Sequence, residues 1–401
     1  MNYKKSICLL TSFESLNVQY HIQKNLYNFI AEKFDEFYFI NIDNLQFFAK
    51  LKKYNFSDEI QNRPKNIILI NPNNSKEFKN FIENKILIAI NNFGKNFKDL
   101  KIHLLIKKKN IFQIEFKNIG NLQMRQLVSK KHFFLALNYL ILNRFFRKIT
   151  TFLSFLGLVN KIDITFISNK KIIDSLNKNR FKKFLYENEL LFTKKFCLVN
   201  SKFFDEININ NKNISNKYIV HLDYYLNYNH ETELRGYLDQ STIKKHHNAV
   251  YNFLSIAQKK LGKEAIICIH PSYPTEYFRN FYKDLKIIKY RTAELINDAE
   301  LVTFFDSSAI VNAILLKKKI LLLSSKFMGQ NEKLHTEVYK KRLGLTKVQL
   351  DEFKEENFDE IYNKSFINED LFKNFISNYL FFDNKEKGST KIVNTIKEKY
   401  F

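Results

Sequence analysis

Short runs of β-branched and aromatic residues alternate along this chain with longer stretches whose apolar positions recur every three or four residues. Repeated strand-then-amphipathic-helix units predict a largely parallel α/β sheet rather than a helical bundle or a β-sandwich. In the first half the pattern predicts strands at residues 6–10, 36–42, 66–70, 101–106 and 163–168. A polar turn at 11–14 leads into a helix running to residue 34, and Asn73 to Ser75 reads as a turn into the next helix. Residues 111–131 have no period that separates helix from strand.

Residues 201–217 break the alternation with Asn208, Asn210, Asn211, Asn213 and Asn216 and no sustained periodicity. We read them as a linker between an acceptor-binding α/β domain, 1–200, and a nucleotide-binding α/β domain with tail helices, 218–401. Beyond the linker the alternation restarts: strand 218–222, helix 243–261, strands 265–269 and 285–290, helix 292–299, strand 301–305, helix 308–316 and strand 320–323. The tail helices, 369–382 and 390–399, go with this second half, although an architecture of two such domains also lets a tail pack back on the first. The expected fold class is two Rossmann-like α/β domains facing a cleft.

Open parallel sheets bind ligands at the carboxyl ends of their strands, so the residues just after each strand carry the functional question. Asp223 follows the apolar run Tyr218-Ile-Val-His-Leu222, where an acid is either a turn residue or a catalytic base. His270-Pro271-Ser272-Tyr273-Pro274 follows strand 265–269, and two of the chain's four prolines stiffen this one loop. A histidine held there donates to a phosphate or moves a proton near neutral pH. Ser307 and Ser308 open an apolar helix, where hydroxyls and free N–H groups suit a phosphate, with simple capping as the plainer alternative. Thr292, at another helix start, either caps that helix or faces the cleft. In the first half Thr11, Ser12, Glu14, Asn17 and Gln19 surround the first strand-to-helix turn and are the candidates for acceptor binding.

The order Asp223, His270-Pro271, Ser307-Ser308 resembles that of bacterial sialyltransferases, polysialyltransferases and capsule Kdo transferases, over residues 218–323. The stretches around 218–226 and 292–308 also resemble capsule-biosynthesis proteins. The resemblance implies a GT-B arrangement and a metal-independent, inverting transfer from a CMP-activated nonulosonic acid or Kdo-type sugar to a capsule or lipooligosaccharide acceptor. It implies Asp223 as general base, His270 as phosphate ligand or leaving-group acid, and Pro271, Ser272, Thr292, Ser307 and Ser308 around the donor. Where those families have two acids and a glycine, this chain has Asp223 followed by Tyr224 and Tyr225, which leaves Glu231 and Glu233 as substitute bases. Teichoic-acid polymerases, which move an alditol phosphate from a CDP carrier, use similar His-Pro loops and give the second reading.

Composition narrows the partners. A net charge of +24 raises nucleic acid and anionic membranes, but lysine and asparagine richness with only 8 glycines and no tryptophan also reflects codon bias. No helix-turn-helix, zinc or RNA-binding signature supports nucleic acid, so the non-enzymatic basic protein is the third reading. No P-loop, GxGxxG or Asp-x-Asp occurs, the adjacent His246 and His247 lack metal-ligand spacing, and no cofactor is expected. Cys8, Cys197 and Cys268 lie apart in apolar, strand-like runs and read as free thiols. No signal-peptide pattern occurs, and Arg144, Arg147 and Lys148 interrupt the apolar stretch 133–159, which reads first as a core helix pair and second as an interfacial helix placing those cations among lipid headgroups. The expected location is cytoplasmic, with peripheral contact at the inner membrane in the second case.

Overall fold

The computed structural model describes residues 6–11, 20, 23–46, 63–85, 88–93, 97–107, 111–117, 149–150, 152–154, 156–171, 173–174, 193–207, 216–224, 239–270, 273–282, 284–381 and 386–400. These divide into two units, one of residues up to 117, 149–205 and 380–400, the other of residues 206–379.

The first unit is a seven-stranded parallel sheet in the order β3-β2-β1-β4-β5-β6-β7. Its strands are β1 (Ser6–Thr11), β2 (Glu36–Asn41), β3 (Ile67–Ile70), β4 (Ile88–Asn92), β5 (Phe112–Lys117), β6 (Ile162–Ile167) and β7 (Thr193–Leu198). Its helices include α1 (Lys24–Lys33), α2 (Ser75–Lys85) and α3 (Phe97–Lys107). Strand side chains alternate faces, so Ile7, Leu9, Phe37 and Phe39 meet Tyr27 and Ile30 of α1. Cys8, Leu10, Tyr38 and Ile40 meet Phe78 and Ile82 of α2 and Ile102 and Ile106 of α3 on the opposite face. With both faces covered, β1 reads as a continuous apolar run.

Residues 101–106, expected as a strand, lie inside α3. Asp99, Ile102, His103 and Ile106 are buried at a three- and four-residue spacing that only a helix turns to one side, and Leu100 is buried next to Asp99. With four apolar residues in six, the stretch satisfies either period by itself. The strands that take its place, β4 and β5, flank it, and β5 falls in the stretch whose pattern decided nothing.

The second unit is a six-stranded parallel sheet, β10-β9-β8-β11-β12-β13. Its strands are β8 (Tyr218–Leu222), β9 (Glu264–Cys268), β10 (Lys286–Ile288), β11 (Ala299–Phe304), β12 (Lys319–Ser324) and β13 (Thr346–Gln349), and its helices include α4 (Gln240–Leu261), α5 (Thr292–Asn297), α6 (Ile310–Leu315) and α7 (Gln330–Leu343). Helix α4 has clear boundaries. Asp239 accepts from the Thr242 N–H at 2.9 Å at its start, and Gly262 ends it at φ +62°, donating to the Gln258 carbonyl. Its Val250, Phe253, Leu254 and Ala257 pack on Ile219, Ile267, Leu301 and Leu321. The three cysteines lie on β1, β7 and β9, with Cys8 and Cys268 buried and Cys197 half-buried.

The tail corrects one assignment. Helix α8 (Gly388–Tyr400) belongs to the first unit, where Ile392, Val393 and Ile396 join the core beside Ile7 and Tyr27. Its first turn is held by Asp205, whose carboxylate accepts from the Gly388 and Ser389 N–H groups at 2.8 Å each. Among the described residues no helix is long and apolar enough to cross a membrane.

Candidate functional site

The chain runs from β8 outward through β9 to β10, then returns to place β11 on the other side of β8. That reversal is the switch point where open α/β sheets leave a crevice at the strand ends. Leu222 is level with Cys268 of β9 and with Phe304 of β11. Asp223, His270 and Ser307-Ser308 therefore leave the sheet from three adjacent strands, at one edge.

They leave it in different directions. Ile219, His221 and Asp223 share the face covered by α4, and the Asp223 side chain has no exposed surface. Its Oδ1 accepts from the Tyr224 N–H at 2.7 Å and lies 3.6 Å from His221 Nε2, and its Oδ2 lies 3.8 Å from His247 Nδ1. Burial pushes the carboxyl pKa up, but the facing His221, His247 and the Tyr282 hydroxyl outweigh burial and hold it down at about 2. His221 Nδ1 bonds Thr303 Oγ1 at 2.9 Å, and His247 bonds the hydroxyls of Tyr282 at 2.7 Å and Tyr277 at 3.2 Å. Burial pushes His247 down to about 4 and His246 to about 3. Among the described residues no three His, Cys, Asp or Glu side chains are grouped to hold a metal ion, this cluster included. Asp223, expected as the general base, is thus a buried carboxyl under the strand ends whose neighbours hold its pKa low. Proton acceptors work best with a pKa near the working pH, which this one lacks.

His270 is exposed, its ring 5.2 Å from that of Tyr273 and its carbonyl accepting from the Tyr273 N–H at 3.0 Å. Pro271 and Ser272 lie outside the described residues, as do Glu231 and Glu233. Ser307 is half-buried, its Oγ accepting from the Ala309 N–H at 3.3 Å, and Ser308 is exposed. Helix α6 begins later than expected, at Ile310, and neither serine caps it with a side-chain bond. Thr292 spends its hydroxyl on Cys268 Sγ, 3.0 Å away, rather than on its own helix.

Two features escaped the sequence reading. His335, on α7 and 6% exposed, places Nδ1 2.5 Å from Asp306 Oδ2, while its buried Nε2 has no partner. A dyad thus sits behind the Ser307-Ser308 turn, formed by residues too far apart in sequence for spacing to reveal. In the first unit, strand after strand ends in an amide or hydroxyl: Thr11, Asn41, Asn71, Asn92, Asn169 and Asn200. Asn41 donates to Asn71 at 2.8 Å and Asn92 to Thr11 Oγ1 at 3.0 Å. Thr11, expected to meet the acceptor, is fully buried and holds this rim together instead. Ser12, Glu14, Asn17 and Gln19 lie outside the described residues. The asparagine signal was present but masked by the chain's general asparagine content.

A cavity of about 340 Å³ opens elsewhere on the second unit, against α5, with Tyr218, Ile266, Lys286, Arg291 and Asp298 in its lining. It takes in none of Asp223, His270, Ser307 or Ser308.

Two parallel α/β sheets, each wound with helices in Rossmann fashion, define the fold class as that of GT-B proteins. Among solved structures the chain is similar to the wall teichoic acid polymerase TagF, at 13% identity and a TM-score of 0.52 over 98% of this chain and 88% of that one. A histidine-to-asparagine variant of that polymerase soaked with CDPG gives 14% identity and a TM-score of 0.53 over 99% and 89%. At such identities the likeness concerns the fold. No family model and no curated protein matches the sequence.

Proposed function

We propose that the chain is a transferase that takes a cytidine-nucleotide-activated group at the switch point of the second unit and passes it to a glycan or glycolipid hydroxyl. The observation that carries this reading is the exit of Asp223, His270 and Ser307-Ser308 from three adjacent strands at one sheet edge. In the first form of the reading the donor is a CMP-linked nonulosonic acid or Kdo-type sugar. The acceptor oxygen bonds to the sugar carbon as the bond from that carbon to the phosphate oxygen breaks, inverting the carbon. CMP departs with the electron pair, and donors from His270, Ser307 and Ser308 offset the new charge on its phosphate more in the transition state than before it. His270, exposed where Asp223 is not, meets the departing phosphate, while the acceptor's proton passes to a carboxylate on the opposite face of the sugar, Glu231 or Glu233, with Asp223 as a positioning residue beneath the strand ends. Pro271 and Ser272 flank the donor and Thr292 shapes its floor through Cys268.

A second form keeps the site and the cytidine but transfers an alditol phosphate from a CDP carrier. The overlap with TagF over nearly the whole chain favours it. The acceptor oxygen then bonds to phosphorus, and CMP again leaves. In both forms the acceptor meets the first unit around Ser12, Gln19 and the asparagine rim, and the enzyme works from the cytoplasmic side at the inner membrane.

Calorimetry with CMP, CDP, UDP and GDP tests the shared part: cytidine nucleotides bind, and a response to UDP or GDP without one to CMP or CDP sinks the proposal. Mass spectrometry of the product separates the two forms, because only the second adds phosphorus to the acceptor.

A further inference from the structure

Among the described residues six large apolar side chains are exposed, and four of them, Leu104, Phe152, Leu156 and Leu158, gather on one part of the first unit. Leu104 is on α3, and the other three lie on the short segment before β6. Lys107, one turn beyond Leu104 on the same side of α3, donates its ammonium to the Gly157 carbonyl and so joins the two segments. Beneath them Leu100, Leu153, Val159 and Ile162 form a small core of their own. Gly157, at φ +71°, makes the turn that leaves Leu156 and Leu158 at 53% and 49% exposure, beside Phe152 at 59%. Singly exposed apolar residues need no explanation, but a supported cluster of them does.

The charge around it identifies the occupant. In sequence, residues 97–110 and 141–161 hold nine lysines and arginines and a single acid, Asp99. Asp99 is 2% exposed and accepts from Gln46 Nε2 at 2.8 Å, so it does not neutralise the surface. Exposed apolar tips in stretches of sequence this rich in cations match the boundary between acyl chains and anionic headgroups. A nucleic acid rewards the cations but not three exposed leucines and a phenylalanine, and two copies of this chain would bring like charges together across the patch.

We propose that Leu104, Phe152, Leu156 and Leu158 form the surface by which the protein docks on an anionic lipid bilayer. The inference deepens the transferase reading by bringing the enzyme to a membrane-carried acceptor, and it rests on that reading for its purpose but not for the binding itself.

The test is flotation of the full chain with phosphatidylcholine vesicles and with vesicles in which about a third of that lipid is phosphatidylglycerol. The protein is expected to float with the anionic vesicles and not with the neutral ones, and to be released in part by salt. The double substitution Phe152→Ser/Leu156→Ser should weaken binding by about tenfold or more, because the inserted area supplies the salt-resistant part. Leu158→Ser alone gives a smaller loss, and Phe366→Ser, at an exposed apolar residue of the second unit, gives none. Unchanged flotation of the double variant with its circular dichroism intact overturns the proposal. So does wild type that self-associates through these residues without floating. Nucleotide calorimetry on the wild type without vesicles keeps the two readings apart: a protein that floats on anionic vesicles and binds neither CMP nor CDP removes the transferase reading alone.

Discussion

At the scale of a residue, Asp223 shows how strand alternation decides what a terminal side chain can do. Position 223 shares a face with Ile219 and His221, which puts it under α4, whereas His270 ends up exposed. His270→Ala is therefore expected to leave the unfolding midpoint unchanged and to lower turnover about 100- to 10,000-fold. Asp223→Asn should lower stability by about 1–3 kcal/mol, since it unbalances a buried network, and should change turnover less. Thermal melts with product assays check the pair, and the reverse ranking restores Asp223 as base.

The same network sets a pH dependence. Burial lowers His246 and His247 from 6.5 to about 3 and about 4. As pH falls below 6.5 the unfolded chain takes up protons that the folded chain refuses. Stability therefore falls by about 1.4 kcal/mol per pH unit for each histidine, down to the folded-state values. Asp223, lowered from 3.8 to about 2, keeps its contribution above 3.8 and loses it only as pH falls toward 2. Urea midpoints at pH 7 and pH 5 should differ accordingly, and His246→Leu should remove about half of the difference. Equal midpoints in the wild type would show these histidines to be hydrated.

At the scale of elements, α8 depends on contacts distant in sequence. A Cβ on Gly388 would lie 2.2 Å from the Asn200 carbonyl oxygen, which is backbone and cannot swing away. Gly388→Ala should cost about 1–3 kcal/mol, and Asp205→Ala should cost about as much by freeing two N–H groups at the helix start. Denaturant melts of the first unit check both. Sequence showed that residues 390–399 form a helix but not which sheet it covers, because Ile392, Val393 and Ile396 suit any apolar face. Residues 101–106 failed for a related reason: four apolar positions in six satisfy both periods, and only the burial of Asp99 and His103 reveals the helical one. Five strands of the second sheet were legible because each is a short apolar run set off by helices with clear ends, such as Asp239 and Gly262, whereas β13, Thr-Lys-Val-Gln, offers no such run. The order of the strand-end motifs was legible too, while the Asp306–His335 pair and the inward turn of Asp223 arise only once β11, α4 and α7 are in place.

At the scale of the whole molecule, ligand binding should register as stability. A cytidine nucleotide at roughly 100 times its Kd adds about 2.7 kcal/mol to the unit that holds it. Scanning calorimetry with CMP and CDP should raise the transition of the second unit, and an unmoved thermogram at saturating nucleotide would contradict donor binding there. The return of α8 to the first unit bears on how the chain is made. Synthesis delivers residues 206–379 complete while the core around Ile7 and Tyr27 still lacks Ile392, Val393 and Ile396. The unit translated first is thus the one finished last, and on the ribosome its seven strands emerge long before the helix that completes their cover. Truncation near residue 385 would spare the second unit and strip from the first the apolar cover that Ile392, Val393 and Ile396 give to Ile7 and Tyr27.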